Sequence, residues 1–380
     1  MNRPVFSRRD FSRVVGQSLA VAISAPYLRA AQGGRHDQPA PEGAIHLNFN
    51  ENPYGPCPKA MEALATCGPA ASRYPDGPYF QVTEALAQMH GVKRENIILG
   101  CGSTEILCVA DEAFLGPEKN LVVAEPTFEA VVEYVNAAHG QVVKIPLTSD
   151  HRHDLAKMAA ACTSKTGVVY VCNPNNPTGT IVTHEELGEF AKQVPATALI
   201  LVDEAYFHFA DDPRYATAID LLSEHPNLVV VRTFSKVYGL AGMRLGYGVG
   251  AKQTIAAMHP YNLQPFNANA AVLAATYASL SDQHVEECGK KMNATRGWLC
   301  DQLTKEGRKF IPSQANFVMI DVGTDVKPVV EEFRARKILV GRRFTSMSNF
   351  LRVSIGTQPE MEQFMAALRE IAPASQTRAA

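Results

Sequence analysis

Five short apolar runs, each ending in residues that carry chemistry, constrain this chain more than any other feature. They are Asn96–Leu99, Leu121–Ala124, Val168–Val171, Leu199–Val202 and Asn227–Val231. Their length and branched, apolar content are those of buried strands. Polar stretches follow them: Gly100–Glu105, Glu125–Phe128, Asn173–Thr180, Asp203–Tyr206 and Ser235–Lys236. Open α/β sheets bind ligands outside the carboxyl ends of their strands, so an α/β fold with its site at those ends is expected. With 380 residues, 46% hydrophobic and 19% charged, the chain is long enough for a large core and two lobes.

Charge and cysteine usage exclude several function classes. Lys and Arg number 36 against 38 Asp and Glu, a net charge of -2, and basic residues form no tract, so no nucleic-acid partner is expected. Eight cysteines (Cys57, Cys67, Cys101, Cys108, Cys162, Cys172, Cys288 and Cys300) show no CxxC and no Cys/His metal spacing. Most are read as small buried hydrophobes. An exported destination would leave room for one or two bridges.

The stretch Arg232–Gly250, RTFSKVYGLAGMRLGYGVG, places Lys236 just beyond a buried strand. An ammonium there is expensive to desolvate unless it is chemically used or paired with an anion. Arg244 follows on a chain kept slim by Gly239, Gly242, Gly246, Gly248 and Gly250, where backbone is expected to approach a ligand closely. The pattern SKxxGLAGxRxGY resembles the lysine motif of the fold-type I pyridoxal-phosphate enzymes, specifically the class I/II aminotransferases of the histidinol-phosphate aminotransferase branch. The resemblance implies pyridoxal 5'-phosphate as cofactor, a Schiff base at Lys236, and a phosphate held by Ser235 and Arg244. It also implies a large lobe with a mainly parallel sheet sandwiched by helices, plus a smaller α/β lobe.

The remaining motifs occur in the family's order. NFNENPYGP, Asn48–Pro56, reads as an ordered turn or arm. In the family it crosses to the neighbouring subunit, which implies a homodimer and places Tyr54 at the cofactor phosphate and the substrate. The turn Gly100–Glu105 opens a helix, and Glu125 ends the next strand, a pattern close to a dinucleotide-binding fingerprint. A nucleotide-dependent oxidoreductase is therefore an alternative of another class. Against it, the third glycine position is Glu105, and free N–H groups at a helix start bind any phosphate. The family uses the same turn, Gly102, Ser103 and Thr104, for the cofactor phosphate.

Phe128 stands where the family stacks an aromatic on the pyridine ring. In NPNNPTG, two X-Pro steps and paired asparagines make a rigid loop, and the family assigns Asn176 to the cofactor's 3-oxygen. Asp203, ending a strand of Leu, Ile and Val, needs a partner to stay ionised. A protonated pyridine nitrogen would be that partner, and Tyr206 would reach the same 3-oxygen as Asn176. Arg352 resembles the arginine that receives the substrate's carboxylate or phosphate, which its planar fork suits. Arg342, favoured over Arg343, stands where a further anion-binding arginine is found.

The activity implied is transfer of an amino group between an amino acid or amino-alcohol phosphate and a 2-oxo acid. Lys236, once freed, serves as base and acid, with Asp203 and Tyr206 as the other catalytic residues. Alternatives are an exported transaminase for a free amino acid or an amino-acid group of an exported metabolite, and other chemistry on the same scaffold, such as racemisation, decarboxylation or elimination.

At the N-terminus, Ser7-Arg8-Arg9-Asp10-Phe11 precedes Val14–Ala25, an apolar run too short to span a bilayer comfortably. Together they resemble a twin-arginine export signal, implying a leader over 1–31, membrane contact only during export, and a periplasmic mature protein. That route moves folded proteins, which suits one that must first capture a cytosolic cofactor. The other expected divisions are 32–70 for the arm and part of the small domain, 71–265 for the large domain, 266–372 for the small C-terminal domain, and 373–380 for a frayed tail.

Overall fold

The computed structural model describes residues 39–135, 138, 140–265 and 267–374. The expected leader and residues 375–380 of the tail lie outside them.

Strand β1 (Ile45–Leu47) is followed by helices α1 (Pro58–Thr66) and α2 (Asp76–Met89), then β2 (Ile97–Gly100) and α3 (Ser103–Phe114). Next come β3 (Asn120–Glu125), α4 (Ala130–Val135), β4 (Gln141–Pro146), α5 (Leu155–Ala161), β5 (Thr166–Cys172), α6 (His184–Gln193), β6 (Leu199–Asp203), β7 (Leu228–Thr233), β8 (Gly246–Gly250) and α7 (Lys252–Met258). The C-terminal part holds α8 (Ala270–Ser279), α9 (Gln283–Lys305), β9 (Phe310–Ile311), β10 (Phe317–Asp321), α10 (Val326–Ala335), β11 (Ile338–Val340), β12 (Phe350–Ser354) and α11 (Gln358–Ile371).

Seven strands form the main sheet in the order β2-β8-β7-β6-β5-β3-β4. The pairs from β7 to β4 are parallel, and β8 runs antiparallel to both β7 and β2. Every residue of β5, β6 and β7 is buried, as strands covered on both faces must be. Successive side chains point to opposite faces: Val230 joins one core cluster, while Val229 and Val231 join the other. The carboxyl ends of β5, β6 and β7 therefore deliver Asn173, Asp203 and Ser235-Lys236 to one rim of the sheet.

Two expectations change at β8. Its glycines do not make room for a ligand. A Cβ on Gly246 would lie 2.2 Å from the Ser103 backbone N, one on Gly248 2.9 Å from Ile98, and one on Gly250 2.8 Å from Val229. They let a central strand pass beneath the start of α3 and between its neighbours. The dinucleotide reading also fails on topology. In that fold the strands flanking the helix lie side by side and parallel. Here β2 is an edge strand paired antiparallel to β8, and β8, β7, β6 and β5 separate it from β3. Glu105 is spent on the turn itself, accepting from the Cys101 N–H and from the Asn262 side chain.

Beyond the main sheet, β10 pairs antiparallel with β9 and β12, and β1 pairs in parallel with β11, Ile45 opposite Ile338. That pairing sets the start of the described chain beside the C-terminal strands and leads Asn48–Asn52 along the rim where β5, β6 and β7 end. All eight cysteines are free thiols.

Candidate active site

Lys236 sits one turn past the end of β7, in a loop pinned by Phe234 N–H to Leu245 O at 3.1 Å and Gly239 N–H to Lys236 O at 2.9 Å. Its Nζ donates to Phe49 O at 3.0 Å and lies 5.6 Å from the centre of the Tyr206 ring. Desolvation, reinforced by the positive fields of Arg352 and Arg244, lowers its pKa to about 8, with Glu51 and Asp203 opposing. An amine tuned this way is partly neutral near physiological pH, as a nucleophile or proton carrier must be.

Asp203 ends β6 at 3% exposure. Its Oδ2 accepts from the Tyr170 hydroxyl at 2.9 Å and its Oδ1 from Ala205 N–H at 3.0 Å. Burial nevertheless raises its pKa to about 6. The carboxylate is thus short of positive charge on the chain's own account. Behind it, Glu204 and Arg232 form a buried ion pair at 2.8 Å, with Ala218 N–H and Thr217 Oγ1 also donating to Glu204 and the Arg232 guanidinium 3.8 Å above the Phe207 ring. This pair ties the end of β6 to that of β7, and sequence reasoning gave it no role.

A second cluster lies at the start of α3. Gly102 has φ +75, and a Cβ there would meet Arg244 Nη2 at 2.4 Å. Arg244 itself takes a left-handed conformation and donates to Ser235 Oγ at 3.3 Å and Ala241 O at 2.9 Å. Ser103 and Thr104 form the first turn of α3, so the helix's free N–H groups, a serine hydroxyl and a guanidinium converge. That donor set fits a phosphate.

Arg352, on β12, is buried; it donates to Asn176 Oδ1 at 2.7 Å and to Asn48 O at 2.9 Å. Its Nε has no partner, and burial lowers its pKa to about 10. Among the described residues no carboxylate pairs with it. Asn50 Nδ2 donates to the Tyr206 hydroxyl at 3.0 Å, and burial raises that phenol's pKa. Phe128, after β3, is half-buried and packs against the core cluster to which Leu121 and Val123 belong.

The two neighbouring arginines diverge. Arg342 pairs with Glu129, adjacent to Phe128, whereas Arg343 Nε turns to Asp325 Oδ2 at 2.7 Å, away from the site. In the arm, Asn48, Phe49 and Asn50 line this chain's own site, and Asn52 Nδ2 donates to Val237 O at 2.7 Å. Tyr54 is not brought to Ser235 or Arg244 of its own chain. Its ring lies 5.6 Å from Lys291 Nζ.

Residues 42–368 match the model of the aminotransferase class I and II family. The chain belongs to that family. It is 40% identical over 331 residues to histidinol-phosphate aminotransferase of Moorella thermoacetica, covering 86% of this chain and 85% of that one. It is 37% identical to histidinol-phosphate aminotransferase 2 of Pseudomonas aeruginosa, covering 87% and 90%. The structure of histidinol-phosphate aminotransferase from Sinorhizobium meliloti, in complex with pyridoxal-5'-phosphate, superposes with a TM-score of 0.81 at 28% identity, covering 92% and 95%. The chain is thus a fold-type I, pyridoxal-phosphate-dependent aminotransferase of the histidinol-phosphate aminotransferase-like kind.

Its residues fit the cofactor. The cradle a Gly102 side chain would fill suits the phosphate, the charge-short Asp203 suits a pyridinium nitrogen, and Lys236 stands between them and Arg352 in electrostatic reach of all three.

Proposed function

We propose that the site moves an amino group from an amino acid or an amino-alcohol phosphate to a 2-oxo acid, with Lys236 carrying the proton. The observation behind this is a desolvated amine, lowered to about 8, whose Nζ donates to Phe49 O at 3.0 Å and lies 5.6 Å from the Tyr206 ring, in the field of a buried Asp203 raised to about 6. Pyridoxal phosphate, when bound, supplies an electron sink for the carbanion at the donor's α-carbon. Asp203 would keep the ring nitrogen charged, and Ser235, Arg244 and the N–H groups of Gly102, Ser103 and Thr104 would hold the phosphate. Phe128 would serve the ring face, and Asn176 and Tyr206 the 3-oxygen.

Arg352 would orient the donor by its anionic group, and Lys236 Nζ would take the proton from the donor's α-carbon and return it two bonds away, on the far side of the amino nitrogen. Asn176, bridged to Arg352, couples donor position to ring position. Purified protein should absorb in the visible, lose that band on Lys236→Ala, and be bleached by an amino donor without release of carbon dioxide. Carbon dioxide release with bleaching would replace transamination by decarboxylation.

We further propose a homodimer. Helices α1, α2 and α8 pack together and, with the segment after α7, leave Met61, Tyr74, Phe80, Tyr277 and Leu263 exposed, Tyr74 by 80% and Leu263 by 72%. An apolar face of this kind favours a second copy, to whose phosphate site Tyr54 would contribute. Sedimentation of the holoenzyme as a monomer at micromolar concentration would contradict it. Export by the twin-arginine route, with the mature enzyme in the periplasm, is proposed from Arg8-Arg9 and the apolar run after them. Recovery of only uncleaved protein from the cytosol would contradict that.

A further inference from the structure

Two guanidinium groups flank one aromatic ring at the donor end of the site. Arg342 lies 4.5 Å and Arg352 5.3 Å from the centre of Phe344. Arg352 is buried, has an unpartnered Nε, and meets only neutral oxygens. Arg342 is already neutralised by the Glu129 carboxylate. Glu133, one turn along α4, feels both Glu129 and Arg342, and Glu129 also acts on Arg352. Arg342 is therefore claimed by a carboxylate of this chain, and Arg352 is the guanidinium left open at this end.

A carboxylate brings one negative charge to that opening, whereas a phosphate monoester brings about -1.5 to -2 at neutral pH. The carboxylate matches Arg352 alone through a two-pronged hydrogen bond. The phosphate needs Arg342 as well and meets the Glu129 carboxylate on the way to it.

We propose that Glu129 is a specificity-determining residue: by occupying Arg342 it tilts the enzyme toward donors that end in a single carboxylate and away from donors that end in a phosphate monoester. The residue lies 213 positions from its partner in sequence and next to Phe128, so the contact joins the β3–α4 loop to the β11–β12 loop across the mouth of the site. This rests on the transaminase reading above. It adds to that reading a residue that chooses between the two donor classes.

The test uses the holoenzyme and the bleaching half-reaction with L-phenylalanine and with L-histidinol phosphate, in wild type, Glu129→Gln and Arg342→Gln. The Glu129 side chain is 47% exposed, so its loss spares the fold. Glu129→Gln is expected to raise the ratio of kcat/KM for the phosphate donor over the amino acid by about tenfold, chiefly through KM, since a charge-assisted bond to the freed Arg342 becomes available. Arg342→Gln, which leaves Glu129 unpaired, is expected to lower the same ratio. Inorganic phosphate should also inhibit Glu129→Gln about tenfold more tightly than wild type. A ratio within about twofold of wild type in both variants, or equal damage to both donors, overturns the proposal. A wild-type holoenzyme bleached by neither donor, nor by any other amine, overturns the transaminase reading itself.

Discussion

Asp203→Asn separates the functional demand on this carboxylate from its effect on the fold. Burial at 3% exposure raises the pKa from an ordinary 3.8 to about 6, although Tyr170 and the Ala205 N–H both donate to the charged form. At roughly 1.4 kcal/mol per pH unit, an ionised Asp203 without a cationic partner opposes folding by about 3 kcal/mol near neutral pH. The folded value lies above the unfolded one. The group's favourable contribution is thus complete below the unfolded pKa and is lost as pH rises through about 6.

Asparagine keeps the shape and carries no charge; its oxygen can accept from the Ala205 N–H while its amide donates to the Tyr170 hydroxyl oxygen. Cofactor-free Asp203→Asn should therefore be more stable than cofactor-free wild type by about 2–3 kcal/mol in urea melts at about pH 7.5, with the gap narrowing to about 1 kcal/mol at about pH 4.5. Adding pyridoxal phosphate should reverse the order, because only the wild type gives the ring nitrogen an ionic partner. A gap of the same size at both pH values, or a less stable cofactor-free variant near neutral pH, would refute the reasoning.

Three other perturbations test separate parts of the site. Gly102→Ala puts a Cβ against Arg244 Nη2 at a backbone conformation (φ +75, ψ 166) that only glycine takes readily. Strain of roughly 1–3 kcal/mol and a displaced guanidinium should weaken cofactor binding by about tenfold or more in an absorbance titration; unchanged affinity would contradict the phosphate cradle. Arg232→Met strands the buried Glu204 and should cost about 3–5 kcal/mol in denaturant melts, with Glu204→Gln added to it restoring part of the loss. A loss under about 1 kcal/mol would show that the pair does not fasten β6 to β7. Arg352→Gln should raise donor KM by about 10- to 100-fold through a lost charge-assisted bond, while Arg343→Gln, whose partner is Asp325, leaves it within about twofold.

The strands that carry the site were legible because burial on both faces forces continuous apolar runs. All of β2, β3, β5, β6 and β7 overlap the runs read from sequence; each runs one or two residues further at its carboxyl end, while β2 and β7 start one residue later. Those invisible there have physical reasons. The edge strand β4 pairs only with β3 and alternates half-buried and exposed positions, and β1 has only three residues. In β8, Gly-Tyr-Gly-Val-Gly reads as loop because packing under α3, not propensity, makes it a strand.

Within the site, what sequence could not supply was pairing across distance. Arg342 and Arg343 are equivalent until Glu129 and Asp325 are seen to claim one each. The Phe49 carbonyl and Asn50 amide meet the same chain's Lys236 and Tyr206, contacts that nothing in the arm motif itself announces. Glu204, just past β6, and Arg232, on the neighbouring β7, lie 28 positions apart, and nothing local in either segment announces a buried ion pair.

Covalent trapping tests the central assignment most directly. Holoenzyme reduced with borohydride and digested should yield one peptide bearing a pyridoxyl group, attached at Lys236, and Lys236→Ala treated the same way should yield none. A pyridoxyl group on any other lysine, or an unmodified Lys236 in protein that still absorbs in the visible, would contradict it.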